Sequence, residues 1–114
     1  MKLLIAAEES PAAGGIDWER LGIDTVLTVC GAGQARKKME ESDVDIVLCD
    51  MEMPQETGIE FLEWARRAYP AVQLVILSHD AEFSSIARTM RLGCAAYLLK
   101  PASPRELEEN IRLA

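Results

Sequence analysis

Three side chains of this sequence combine a reactive type with a suggestive position: Asp50, Ser78 and Lys100. Each ends a short apolar run, namely Ile46-Val47-Leu48-Cys49, Leu74-Val75-Ile76-Leu77 and Tyr97-Leu98-Leu99. A run this short without polar alternation reads as a strand buried on both faces, the pattern found inside a parallel sheet. A carboxylate, a hydroxyl and an ammonium then stand at the same ends of three strands. Ligands of open α/β sheets bind just outside the carboxyl ends of the strands, so reactive groups belong at this edge. Read from its own stretch alone, Asp50 serves equally well as the start of a turn, because Pro54 and Gly58 come after it.

The elements that hold these groups emerge from the rest of the pattern. Lys2-Leu3-Leu4-Ile5-Ala6 is a first buried strand and runs into Ala7-Glu8-Glu9-Ser10-Pro11. Paired glycines cost about 2 kcal/mol inside a helix, so Gly14-Gly15 predict a short or absent helix after this strand. One turn over residues 16–22 is expected, stopped by Gly22, with Trp18 folding over the face left uncovered. Thr25 to Cys30 reads as a second strand whose threonines suit a sheet edge. Gly33 to Ser42 comes next as a helix with a thin apolar face, Ala35 and Met39. A clearer helix runs from about Thr57 to Ala68, with Phe61, Leu62, Ala65 and Tyr69 on one stripe and Glu60, Glu63, Arg66 and Arg67 outside it. Phe83, Ile86, Ala87 and Met90 repeat the i, i+3, i+4, i+7 spacing of another helix, expected to face the core and to be closed by Gly93. Ser103-Pro104-Arg105-Glu106 is a capping box with proline at the first helical position of the last helix. Strands alternating with helices define an α/β fold with a doubly wound parallel sheet.

With 114 residues the chain suits one domain, spanning 1–114, and no linker is visible. Its net charge of −7 argues against direct nucleic-acid binding and against polybasic attachment to a membrane. No signal peptide or apolar run of membrane-spanning length is present, which predicts a soluble, cytoplasmic protein. Cys30, Cys49 and Cys94 lie in apolar surroundings without metal-ligand spacing and read as reduced packing residues.

The pieces Asp50-x-x-Met53-Pro54-x-x-x-Gly58 and Leu99-Lys100-Pro101, in this order and with Ser78 between them, resemble the CheY-like receiver domain of two-component response regulators. The resemblance covers nearly the whole chain. Asp17-Trp18 and Leu21-Gly22 are similar to the wording of receivers joined to AraC-family DNA-binding domains. The receiver resemblance implies a flavodoxin-like sheet of five strands in the order 2-1-3-4-5. It further implies that Asp50 accepts a phosphoryl group from a phosphohistidine on a partner sensor histidine kinase. Ser78 and Lys100 would bind the phosphoryl oxygens. Ser78 and Tyr97 would act as the switch pair that alters the face formed by the last strand and the helices on either side of it. A Tyr97 buried with its hydroxyl on a partner is the competing reading. His79, the only histidine, is expected to face solvent. A DNA-binding effector domain and a homodimer are the further partners the resemblance leaves open.

In the implied strand order the first and third strands are neighbours, which brings Glu8 and Glu9 beside Asp50. Glu8, Asp50 and the backbone carbonyl of Glu52 then form an expected hard-oxygen site for Mg²⁺, while Glu9 is expected to be solvated. Receivers usually carry two acidic residues after the first strand, whereas here Ala7 stands at the first of these positions and Glu8 at the second. Weakened Mg²⁺ binding is the expected consequence, with the Glu52 side chain a candidate to compensate. The departure also supports a pseudo-receiver, an interaction module that switches without phosphate. A phosphohydrolase of the haloacid dehalogenase type uses similar groups. It places its nucleophile after the first strand and needs a cap for which this chain has no room. The chain is accordingly not expected to be an enzyme.

Overall fold

Ladder hydrogen bonding joins β1 (Lys2–Ala6), β2 (Thr25–Val29), β3 (Ile46–Asp50), β4 (Gln73–Ser78) and β5 (Ala96–Leu99) into one parallel sheet. The computed structural model describes residues 1–7, 16–51, 58–100 and 103–113. The strand order is 2-1-3-4-5, as the receiver resemblance implies. Every residue of β3 is buried, because helices cover both faces of the central strands. One face, carrying Leu4, Ala6, Val47, Cys49, Leu74 and Ile76, packs under α1 (Ala32–Glu41) and α2 (Gly58–Ala68). The opposite face, carrying Leu3, Ile5, Ile46, Leu48, Val75 and Leu77, is covered by Leu107 and Ile111 of α4 (Pro104–Leu113) and by Ile16 and Ile23.

Asp45 sets the register at the N-terminal edge of the sheet. Its carboxylate accepts the Lys2 N–H at 2.7 Å. Its own N–H donates to the Lys2 carbonyl at 2.9 Å, and its carbonyl accepts the Gln73 N–H at 3.0 Å. One residue thus aligns the starts of β1, β3 and β4, and a slip by one position would send each apolar set to the wrong face.

The expected gap in the first helix falls on residues 8–15, which lie outside the described residues. Beyond it the chain makes a single 3₁₀ turn, Glu19–Leu21, closed by Gly22 at φ 80°. Trp18 packs on the face of Leu3 and Ile5, as the glycine pair predicts, and Arg20 pairs with Glu108 of α4. Ala35, Met39, Phe61, Leu62 and Ala65 are all buried in the positions their spacing assigns. Ser103 and Glu106 form the capping box, the Glu106 N–H donating to Ser103 Oγ at 3.1 Å and the Ser103 N–H to Glu106 Oε1 at 3.4 Å.

Two expectations fail. The helix α3 (Phe83–Met90) is where the periodicity puts it, but its apolar stripe is not in the core: Phe83 is 85% and Met90 39% exposed. Ile86 and Ala87 are only half-buried. This helix packs chiefly against β5, an edge strand, so part of its circumference lies beyond any layer able to cover it. The buried member is Thr89, whose hydroxyl donates back to the Ser85 carbonyl at 2.9 Å. Cys30 is likewise exposed, because β2 ends at Val29 and the chain turns outward before α1; Cys49 and Cys94 are buried as expected.

Arg66 lies outside the apolar stripe of α2, yet it is half-buried and ties two helix ends together. Its guanidinium donates to the Pro70 carbonyl at 2.8 Å, the Leu92 carbonyl at 2.9 Å and the Gly93 carbonyl at 3.1 Å. Gly93 takes φ 82°, which turns both of the latter carbonyls to one side. Arg66→Ala should lower stability by about 2–3 kcal/mol, because it strips a charged donor from three carbonyls. Arg66→Lys, a point donor without the planar fork, should recover less than half of that loss in urea denaturation.

Burial pushes the Cys94 thiol up to about 11, against a small opposing pull from Arg66. The folded chain therefore keeps this proton above the range where an unfolded thiol loses it. Stability tied to Cys94 is full below about pH 8.5 and declines as pH rises toward 11. Labelling of the native protein with a thiol reagent at pH 8 should modify Cys30 quickly and spare Cys49 and Cys94. Rapid modification of all three would contradict this packing.

Candidate functional site

The apolar run of β3 ends in Asp50, which is 8% exposed. Strand alternation turns Asp50 toward the same side as Ile46 and Leu48, the face under α4. Lys100 comes two residues after Leu98 and reaches the same side, and its N–H continues the ladder to the Ser78 carbonyl at 2.9 Å. Lys100 Nζ donates to Asp50 Oδ1 at 2.6 Å, and the two side chains are 19% and 11% exposed. So short a charge-assisted bond, largely withdrawn from water, draws on a stronger attraction than a surface pair and bears a larger desolvation cost.

Ala7 completes this side of the edge. The β1–β3 register pairs Ala6 with Cys49, so its continuation sets Ala7 beside Asp50. Ala7 is 5% exposed, packs with Leu3 and Ile5, and donates its N–H to the Val29 carbonyl at 3.0 Å. The position that the receiver resemblance makes acidic is thus held by a buried methyl next to Asp50. Glu8, Glu9 and Glu52 lie outside the described residues. Among the described residues no group of three or more His, Cys, Asp or Glu side chains is placed to hold a metal ion.

Ser78 and Tyr97 occupy the other side. Ser78 is 1% exposed and its Oγ accepts the Asp80 N–H at 3.0 Å. Tyr97 is half-buried, and its hydroxyl donates to the Asp80 carbonyl at 2.8 Å. The Asp80 carboxylate accepts the Glu82 N–H at 2.9 Å; the Ser85 hydroxyl near it and this N–H hold it below the usual carboxylate range. A cavity of about 520 Å³ opens beside these groups, lined by Met51, Ile59, Ser78, Ser85, Arg88 and Tyr97 among others. Arg88 and Glu63 pair near it at 3.9 Å, linking α3 to α2. His79 is exposed, as expected.

The three strand-end residues and Tyr97 are thus brought to one edge. Asp80 and Ser85 were not singled out by sequence reasoning. A signal was present: an aspartate three residues before a helix start favours an Asx turn, and a carboxylate suits a helix N-terminus.

A parallel sheet in this order, with a carboxylate held against a lysine at the switch-point edge, defines a flavodoxin-like doubly wound α/β domain. The sequence profile of the response regulator receiver domain matches residues 17–112, and the chain belongs to that family. It is 31% identical over 114 residues to the uncharacterized transcriptional regulatory protein YesN of Bacillus subtilis, covering 96% of this chain and 31% of that protein. It is 38% identical over 90 residues to the hydrogenase transcriptional regulatory protein HoxA of Cupriavidus necator, covering 78% of this chain and 19% of HoxA. The chain therefore spans about a third or less of these relatives. The solved receiver domain of AraT, a response regulator from Geobacillus stearothermophilus, superposes with a TM-score of 0.84 at 27% identity, covering 97% of this chain and 92% of that one. Among the described residues no helix is long and apolar enough to cross a membrane.

Proposed function

We propose that this receiver domain is a phosphoacceptor switch, modified on Asp50 by a partner sensor histidine kinase in the cytoplasm. The observation that carries this reading is the Lys100–Asp50 contact of 2.6 Å at the carboxyl edge of the sheet, one strand away from Ser78. An Asp50 carboxylate oxygen attacks phosphorus in line. The P–N bond of the donor phosphohistidine breaks, its electron pair returns to the imidazole, and an acyl phosphate forms on Asp50. No proton need leave Asp50, so the demand on the site is positioning and neutralisation of the phosphoryl oxygens. Lys100 supplies one positive charge and the Ser78 hydroxyl a hydrogen-bond donor.

Mg²⁺, which the family implies, would be held by Asp50, Glu8 and the Glu52 carbonyl, and would screen the phosphoryl charge when bound. Of these groups the structure describes Asp50 alone, a hard-oxygen donor suited to this ion. The relatives are transcriptional regulators several times longer than this chain, which supports a DNA-binding effector domain as the output partner, with dimerisation as one route to it. The chain acts as acceptor and switch rather than as a turnover enzyme.

A second reading, the phosphate-independent pseudo-receiver, is favoured by one observation: the buried Ala7 methyl beside Asp50. Acetyl phosphate with Mg²⁺ should add one phosphoryl group to the wild-type chain by intact mass, and Asp50→Asn should abolish it. An unmodified wild type at saturating donor would select the pseudo-receiver.

Ala7→Asp should tighten Mg²⁺ binding by about fivefold or more, since a unit charge about 5 Å away contributes on the order of 1 kcal/mol or more at an effective dielectric near 20. The same substitution should lower stability without Mg²⁺, because it buries a second carboxylate against Asp50. Glu8→Ala should weaken Mg²⁺ binding. Calorimetric titration of the three proteins measures the first and third effects, and thermal unfolding with and without Mg²⁺ the second; equal affinities would remove Glu8 and Ala7 from the site.

A further inference from the structure

The ends of α2 and α3 gather cations on a chain whose net charge is −7. Residues 61–72 and 85–95 hold four arginines, Arg66, Arg67, Arg88 and Arg91, against one carboxylate, Glu63, which leaves a local charge of +3. Arg88 and Glu63 pair across the two helices at 3.9 Å, and Arg66 reaches from α2 to the carbonyls of Leu92 and Gly93. Arg67 lies one turn beyond Glu63, and Arg91 one turn beyond Arg88, so each comes up on the side that faces the other helix. Both are exposed, and among the described residues neither side chain has a carboxylate partner.

We propose that the surface between the ends of α2 and α3 is a docking site for an acidic peptide segment of a partner protein. The ordinary role of a cation at a helix C-terminus is to meet the free carbonyls and the negative end of the dipole. Here those carbonyls are already taken. Arg66 donates to Pro70, Leu92 and Gly93, and the N–H groups of Arg91, Leu92 and Gly93 donate to Ala87, Thr89 and Met90. Arg67 and Arg91 are therefore available to an outside acceptor, and the planar fork of a guanidinium matches a carboxylate bidentately. Packed helix axes lie about 8–10 Å apart, so the two arginines suit carboxylates at positions i and i+2 of an extended segment, about 7 Å apart. A nucleic acid fits less well, because firm phosphate binding draws on about six contacts or more and the chain as a whole repels polyanions. A second copy carries the same net charge, and its acidic residues would have to meet this surface in a head-to-tail contact that does not close.

The test is an NMR titration of the intact chain with hexaglutamate at about 20 mM NaCl, read at the backbone amides and the arginine Nε–H groups. Saturable shifts are expected at residues 66–68 and 91–93 and at the Arg67 and Arg91 side chains. Raising NaCl to about 200 mM should weaken the binding about fivefold, as it does for exposed charges. Arg67→Ala and Arg91→Ala should each weaken it about threefold, the weight of one exposed ion pair. The double variant Arg67→Glu, Arg91→Glu should abolish it, while Lys37→Ala, which removes a cation of α1 outside this surface, should leave it unchanged. Both arginines are exposed and make no internal contact that folding needs, so these variants keep the test intact. Shifts scattered over the molecule without saturation, or equal binding by the double variant, would overturn the proposal. So would tighter binding of an oligothymidylate of the same length, or concentration-dependent shifts at these residues in the peptide-free chain, which would give the surface to a nucleic acid or to a second copy. None of these readings depends on phosphorylation of Asp50.

Discussion

An ammonium and a carboxylate 2.6 Å apart at the edge of the sheet constrain most of what surrounds them. Asp50 ends β3 and Lys100 directly follows β5, with β4 between the two strands. Strands lie about 4.8 Å apart, so the two backbones are separated by roughly 10 Å and only a long side chain leaning across the end of β4 can close the gap. Lysine has that length. The contact also demands that both residues face the same side, and a one-residue slip of β5 would turn Lys100 to the other. The apolar run of β3 leads up to a buried charge only because a distant part of the chain brings its counter-charge to the same place.

The edge divides into two sides with different chemistry. Toward α4 stand Asp50, Lys100 and the Ala7 methyl, a site in which charge is gathered and water is scarce. Toward α2 and α3 stand Ser78, Tyr97 and the cavity between them, where neutral hydroxyls and backbone groups exchange hydrogen bonds. Ser78 belongs to both by position, since its carbonyl receives the Lys100 N–H while its hydroxyl meets Asp80. One residue thus joins a charged site to a set of neutral hydrogen bonds.

The strands and the strand-end residues were legible in the sequence because parallel strands buried on both faces carry an unbroken apolar signal. Asp50, Ser78 and Lys100 end three such runs. The α2 stripe was legible for the same reason: Phe61, Leu62 and Ala65 have no polar competitor. The stripe of Phe83, Ile86, Ala87 and Met90 was misleading, because periodicity reports that a helix has an apolar side and says nothing of whether a layer lies against it. Arg66 was read only as lying outside the α2 stripe, and Asp80 was not singled out. Their roles depend on backbone carbonyls and N–H groups, which every residue carries and no sequence displays.

The way Asp45 aligns β1, β3 and β4 has a kinetic side. β1 pairs with β3 across more than forty intervening positions, and no parallel neighbour is closer than a full crossover. Loop closure on that scale must precede most of the stabilising contacts, which makes the search for the native state slow for so small a chain. Three hydrogen bonds at one residue reward the correct alignment as soon as the strand starts meet, before the apolar runs have zipped. Asp45 is in this sense a clasp at the edge opposite to the charged pair.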